Sequence, residues 1–457
     1  MKPFGWRWLV FSSLLLATLA CADTRPQYGG TLRVSMRAAL TSLDPSERSL
    51  SDSIAQRNIA GLMFDTLVIT DKTGRIRPAL ADSWQSTNGN QSYQLHLRPA
   101  VKLSDGSPLT TEIVAASLRF ANPGWRVLLA GDSVIVESEN PTLDLLLELT
   151  LARNSIVKRG AIDGRLLGTG PFRIATWEPG KHLALDANDE YWGGRPFLDG
   201  IEVNMGRSFR DQSNSLQLGR SDLVEVAPEQ AQHMGLDSRR SLESHPVELL
   251  ALLFPRDAAS PDEKNLRDAL TLSVERNSIH DVLLKRSGSS TGSLLPNWMT
   301  GYGFVFRSAS DLARAQQLRS AVKSVPSWKL AYDGNDPLDR LLAERIALNA
   351  RDAGLSVQPV VAASADIRLV RISLESSDPW IALDDLLNRC GISTTASKGA
   401  SIQDLYATEQ NALGKDRVIP LFYLPVSYAS SPALRDWNVR ADGAVDLSNA
   451  WLEILKP

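Results

Sequence analysis

Between residues 91 and 103 apolar and polar positions alternate, with Tyr93, Leu95, Leu97, Val101 and Leu103 sharing one parity. That is the period of a strand in a sheet wetted on one face, and Ser-Asp-Gly at 104–106 supplies a turn after it. Residues 132–150 predict a strand followed by a helix. From residue 266 the period changes, and Leu266, Ala269, Leu270 and Val274, continued by Ile279, Val282 and Leu283, form the apolar stripe of one helix over 266–284. Its start is encoded just upstream: Ser260 can cap, Pro261 suits the first turn and Glu263 can reach back to the cap. Residues 329–333 read as a strand, 336–354 as a helix capped by Asp336 and stopped by Gly354, and 355–361 and 366–374 as further strands. Strand, helix, strand at this spacing predicts a parallel crossover and an α/β fold.

Length changes this picture, because 457 residues exceed what one hydrophobic core usually organises, so two lobes are expected. Near the start, Lys2 and Arg7 precede an apolar run from Trp8 to Ala20, which reads as an export signal over residues 1–22. Ala20 and Ala22 bracket Cys21 in an A-x-A pattern that favours cleavage before Asp23; the alternative is lipidation of Cys21, which would anchor the protein to a membrane. Without the signal the formal charge moves from -3 to -5, since 47 basic residues then face 52 acidic ones. No basic field invites nucleic acid. Cys390 would stand alone, which excludes a disulfide framework and suggests a small buried apolar residue.

Candidate chemistry is sparse. Gly-Ser-Ser-Thr-Gly at 288–292 satisfies G-x-S-x-G around Ser290, but a nucleophile elbow needs a strand before it and a helix after it; here a helix ends before the motif and Pro296 follows, so a loop is expected. His96, His182, His233, His245 and His280 are scattered, which argues against a metal cage. His96 is expected on a solvated sheet face. No catalytic residue, metal ligand or cofactor is assigned.

One ordered set of motifs carries more. YGGTLRV at 28–34, TSLDP at 41–45, MFDTLV at 63–68, PALADSW at 78–84, YQLHLRPAVKLSDGSPLT at 93–110, GTGPFRI at 168–174, NDEYWGGRPFLDGIEV at 188–203 and VIPLFYLP at 418–425 resemble the family 5 extracellular solute-binding proteins, the peptide- and nickel-binding receptors of bacterial ABC importers. The resemblance implies a two-lobed α/β periplasmic-binding-protein fold with mixed sheets flanked by helices and two hinge crossings, near 246–253 and 418–424. Lobe I would comprise 23–247 plus 420–457, and lobe II 248–419. Only a short stretch separates Phe120 from Gly168, so the extra domain of larger members is expected to be reduced and one cleft wall thinned.

By the same resemblance the protein is a monomeric periplasmic receptor that binds a short peptide, or a metal chelate, oligosaccharide or opine, and hands it to an inner-membrane ABC permease. Peptide-binding relatives carry an acid about three residues before an Asp-Pro pair, where it meets the ligand's amino terminus. Glu375 occupies that place before Asp378, although as Glu where Asp is usual. Trp298, Tyr302, Trp380 and Tyr423 would supply flat pocket walls, whereas Trp84, Trp177, Tyr191 and Trp192 are expected to serve the fold.

Overall fold

A computed structural model describes residues 25–47, 53–71, 73–88, 91–138, 144–160, 166–230, 240–302, 306–362, 364–393 and 401–453. The signal segment and Cys21 lie outside these residues.

Three sheets, each with its own apolar cluster, organise the chain. The first is seven-stranded, in the order Phe172–Glu178, His182–Ala187, Gly200–Asn204, Thr31–Ser35, Leu223–Val226, Ser427–Ser430 and Ser241–Glu243. Thr31–Ser35 runs parallel to both of its neighbours. Four antiparallel strands, Ala81–Ser86, Ser92–Leu97, Ser133–Ser138 and Trp125–Ala130, make a smaller sheet beside it. The alternation read at 93–97 places Tyr93, Leu95 and Leu97 inward, where they meet Val114 and Leu118 of the helix Thr111–Ala121. Of the region expected to be reduced, Trp125–Ala130 and Ser133–Ser138 complete this sheet, whose other strands and helix come from the chain before it.

The second lobe holds a six-stranded sheet ordered Ser289–Ser290, Val418–Leu424, Glu248–Leu253, Ile367–Ser373, Ser327–Ala331 and Ser356–Val360. Ser327–Ala331 pairs in parallel with Ser356–Val360 and with Ile367–Ser373, the geometry the crossover predicts. The connecting helix Pro337–Asp352 begins at Asp336, whose carboxylate accepts Leu338 N at 2.9 Å, and Gly354 follows in a left-handed turn at φ 78°.

One expected helix is two. Pro261–Ser273 is capped by Ser260, which accepts Glu263 N at 3.1 Å; then Val274 turns extended and a second helix runs Arg276–Val282. The cause is Arg276, buried with its guanidinium donating to Pro420 O at 2.8 Å and Thr271 O at 3.0 Å. A charge directed into the core needs carbonyl partners there, and reaching them breaks the helical register.

The chain crosses between lobes twice, at 244–247 and 425–426. Ser244 N donates to Val426 O (2.9 Å) and Val247 N to Leu424 O (3.1 Å), so the crossings lie side by side. Val418–Leu424 pairs with Glu248–Leu253 along its length, which carries the second lobe's sheet past the expected boundary at 419, up to Leu424.

Candidate functional site

Three of the sequence motifs meet at one buried carboxylate. Asp65 accepts Trp192 Nε1–H at 2.8 Å, the Thr169 hydroxyl at 2.8 Å and the Tyr191 hydroxyl at 3.1 Å. Burial raises its pKa, and these three donors offset the rise only in part. Gly170 N donates to Met63 O at 3.0 Å, and a Cβ at Gly168 would sit 2.0 Å from that same carbonyl. Only glycine lets the two segments approach so closely. Asn188 adds a bond from its amide to Gly170 O at 3.0 Å. Tyr191 and Trp192 thus hold the fold of lobe I.

Between the lobes lies an open cleft of about 1280 Å³. Lobe I lines it with Arg37–Ala39 and Gly206–Ser208, which follow the parallel strands Thr31–Ser35 and Gly200–Asn204; lobe II lines it with Ala331–Asp333, Asp339 and Arg368–Arg371. Strand ends of both lobes facing one gap is the usual seat of a ligand in such folds. Two ion-paired arginines organise this gap. Arg37 reaches across to Asp333 at 3.2 Å. Arg371, buried, holds Asp339 at 2.7 Å and Asp336 at 3.0 Å. The three acids ahead of and within the first turn of Pro337–Asp352 are therefore bound to protein cations.

Glu375 sits just beyond Ile367–Ser373, against lobe I. Its Oε2 accepts Arg153 Nη1 at 2.8 Å, and its Oε1 lies 3.9 Å from Arg57 Nη1. Burial by itself would raise the Glu375 pKa; Arg153, then Arg57 and Arg389, more than offset it and hold the carboxyl below the ordinary glutamate value. Arg153 comes from the turn Ala152–Asn154 of the small layer and also holds Glu148 at 2.7 Å. Arg57, from the helix Ser53–Met63, donates to Leu374 O at 3.1 Å and Asp442 O at 2.9 Å. A small cavity beside the pair has Glu47, Gln56, Arg57, Arg153 and Glu375 among its lining residues. The wall expected to be thin thus reaches Glu375 directly.

The other expected site residues are dispersed. Asp378 caps the helix Pro379–Arg389, its carboxylate accepting Trp380 N and Ile381 N, both at 3.0 Å. Trp380 packs half-buried against the lobe II core. Tyr423 is fully buried, its hydroxyl donating to Leu294 O, so it is a core residue and the expectation of a cleft wall is corrected. All seven residues of its strand are buried, because the strand is covered on both faces although only a two-residue strand flanks its outer edge. Tyr302 donates to Glu409 at 2.7 Å within lobe II; burial pushes that glutamate up to about 7 against the donors Tyr302, Leu295 N and Leu294 N. Trp298 bonds the crossing itself, Nε1 to Pro246 O at 3.0 Å, and its ring faces His245. Trp298, Tyr302, Trp380 and Tyr423 line neither the cleft nor the small cavity.

Ser290 lies on a two-residue edge strand paired with Phe422, where a loop was expected, and the next helix, the single turn Asn297–Thr300, starts too far on to make an elbow. His96 is partly exposed between Asp82 at 2.9 Å and Asp132 at 3.1 Å. Cys390 is buried, which pushes its thiol up to about 11. Among the described residues no group of three metal-binding side chains converges, and no helix is long and apolar enough to cross a membrane.

The residues that sequence reasoning missed are Arg57, Arg153, Arg207 and Arg371. A signal existed for two of them. Arg57 shares a helix with Ile54, Ala60 and Leu62, and Arg153 stands between Leu151 and Ile156; a cation on a buried face needs an acid partner.

A family profile described as bacterial extracellular solute-binding proteins, family 5 Middle, matches residues 75–371. The chain belongs to this family. Among curated relatives of this family 5 protein, the probable D,D-dipeptide-binding periplasmic protein DdpA of Escherichia coli is 23% identical over 317 residues, covering 63% of this chain and 61% of the relative. The oligopeptide-binding protein AppA of Bacillus subtilis is 23% identical over 293 residues, covering 58% and 53%. The chain spans about three-fifths of the length of the first curated relatives it matches. Among solved structures, AppA from Bacillus subtilis in complex with a nonapeptide superposes with a TM-score of 0.82 at 17% identity, over 94% of this chain and 100% of that one. NikA from Staphylococcus aureus in complex with Ni(L-His)2 gives 0.79 at 16%, over 93% and 100%. These likenesses establish the two-lobed fold.

Proposed function

We propose that the protein is an extracytoplasmic receptor that closes on a small solute between its lobes and delivers it to an inner-membrane ABC permease, working as a periplasmic monomer and leaving the solute's bonds intact. Short peptides are the leading cargo. The observation that carries this reading is the cleft of about 1280 Å³ lined from both lobes, spanned by two adjacent strand crossings that can act as a hinge. Binding then needs only a higher affinity for the closed state than for the open one. The peptide assignment draws on the dipeptide- and oligopeptide-binding relatives.

A second reading keeps the receptor and changes the cargo to a metal chelate, and the engagement of Glu375 by Arg153 favours it, since that carboxylate is not idle. Calorimetry with di- to pentapeptides and with nickel–histidine separates the two, and small-angle scattering on the same samples reports closure as a fall in the radius of gyration. A ligand that binds without any change in that radius would remove the hinge mechanism.

A further inference from the structure

The carboxylate that peptide-binding relatives offer to a ligand ammonium is occupied here by the protein. Glu375 is held by Arg153 at 2.8 Å, with Arg57 at 3.9 Å, and both arginines come from the opposite lobe. The neighbouring cations are paired as well: Arg153 meets Glu148 and Glu375, Arg389 meets Asp385 at 2.7 Å, and Arg440 and Arg57 share Asp442 at 3.2 and 3.6 Å. An incoming ammonium would have to displace Arg153 from a nearly dry pair that is already made, which is unfavourable. Space argues the same way, because the cavity beside Glu375 holds about 10 Å³, less than one water needs with room to spare.

The large cleft offers a guanidinium instead. Its acids Asp333 and Asp339 are paired with Arg37 and Arg371, and Asp211 accepts the Ser208 hydroxyl at 2.7 Å. Arg207 lines the same cleft and pairs with no carboxylate among the described residues. A guanidinium presents a planar fork of donors that fits a carboxylate.

We propose, building on the receptor reading, that the solute is recognised at an anionic end and not through a free amine: the cleft takes a carboxylate-bearing solute, a peptide or peptide-like acid, whose anion lies beside Arg207 while Glu375 stays committed to Arg153.

The test is calorimetry on the full mature chain with trialanine, N-acetyl-trialanine and trialanine amide. N-acetylation is expected to change affinity by less than about threefold, whereas amidation and Arg207→Ala each weaken it at least about tenfold, without adding in combination because they remove the same charge-assisted contact. Loss of binding on acetylation with amidation tolerated would overturn the proposal while leaving the peptide receptor intact. Binding by none of the three ends the peptide reading alone. In that case thermal stabilisation is compared between amine-free carboxylates and carboxylate-free amines. Stabilisation by the carboxylates only sustains the proposal; stabilisation by the amines, or by neither set, overturns it.

Discussion

Asp65 and Glu375 are both enclosed carboxylates, yet they are held in opposite ways. Asp65 meets three neutral donors, Trp192, Thr169 and Tyr191, all within lobe I. Glu375 meets two guanidinium groups that belong to the other lobe. Neutral donors that never part company serve a permanent junction, since nothing is left charged and alone in any functional state. An ion pair across a gap is different: opening the lobes returns both partners to water, and closing them costs desolvation that mutual attraction roughly repays. The first arrangement fixes a fold, and the second sets the balance between open and closed forms.

The strongest challenge to this contrast is Asp65→Ala. It strands three donors and is expected to lower the unfolding free energy by about 4 kcal/mol, measured by urea denaturation, with no change in lobe separation by scattering. A loss below about 1 kcal/mol would mean that the junction is not the keystone its geometry suggests. Next comes Arg153→Met, which leaves Glu375 with Arg57 and Arg389. A stability loss of about 2–3 kcal/mol is expected, accompanied by a larger radius of gyration in the absence of ligand. If that radius stays at the wild-type value, the pair is structural and not a latch. Trp192→Phe removes one donor of three from Asp65 and should cost about 1 kcal/mol by the same denaturation measurement, leaving Thr169 and Tyr191 in place.

The smallest effect is also the one in which the two sites differ in sign. Glu375 is held below its ordinary pKa, so its contribution is fully present above the ordinary glutamate value and is lost as pH falls through the folded value. Asp65 is raised, so its contribution is fully present below the ordinary aspartate value and is lost as pH rises through the folded value. The stability gap between wild type and Glu375→Gln should therefore shrink in acid, while that between wild type and Asp65→Asn should grow. Parallel responses in a thermal melt series from pH 3 to 7 would contradict the assignment of different partners.

Much of this architecture was legible before any coordinates. The alternation at 93–97, the capped helix after Asp336 and the parallel crossover behind it all rest on local periodicity and caps, and each is where its pattern puts it. The helix break at Val274 was hidden, because a buried Arg276 reads as a polar position on an exposed face until its partners at Pro420 and Thr271 are known. The aromatic residues near the expected site misled for a related reason. Tyr423 looks like a wall when only its strand is known, but that strand is buried on both faces.

By itself the chain of residues determined the secondary elements, the order of the motifs and, through them, membership in a family with a hinged two-lobed frame. Glycines at 168 and 170, the donors at 191 and 192 and the caps act within short range or recur as a set, so they can be read along the line. Only the tertiary structure decided which charges meet. Arg153 and Glu375 are separated by 222 residues, and no local pattern specifies a partner across that distance, because an ion pair depends on where two lobes bring their surfaces and not on what flanks either residue.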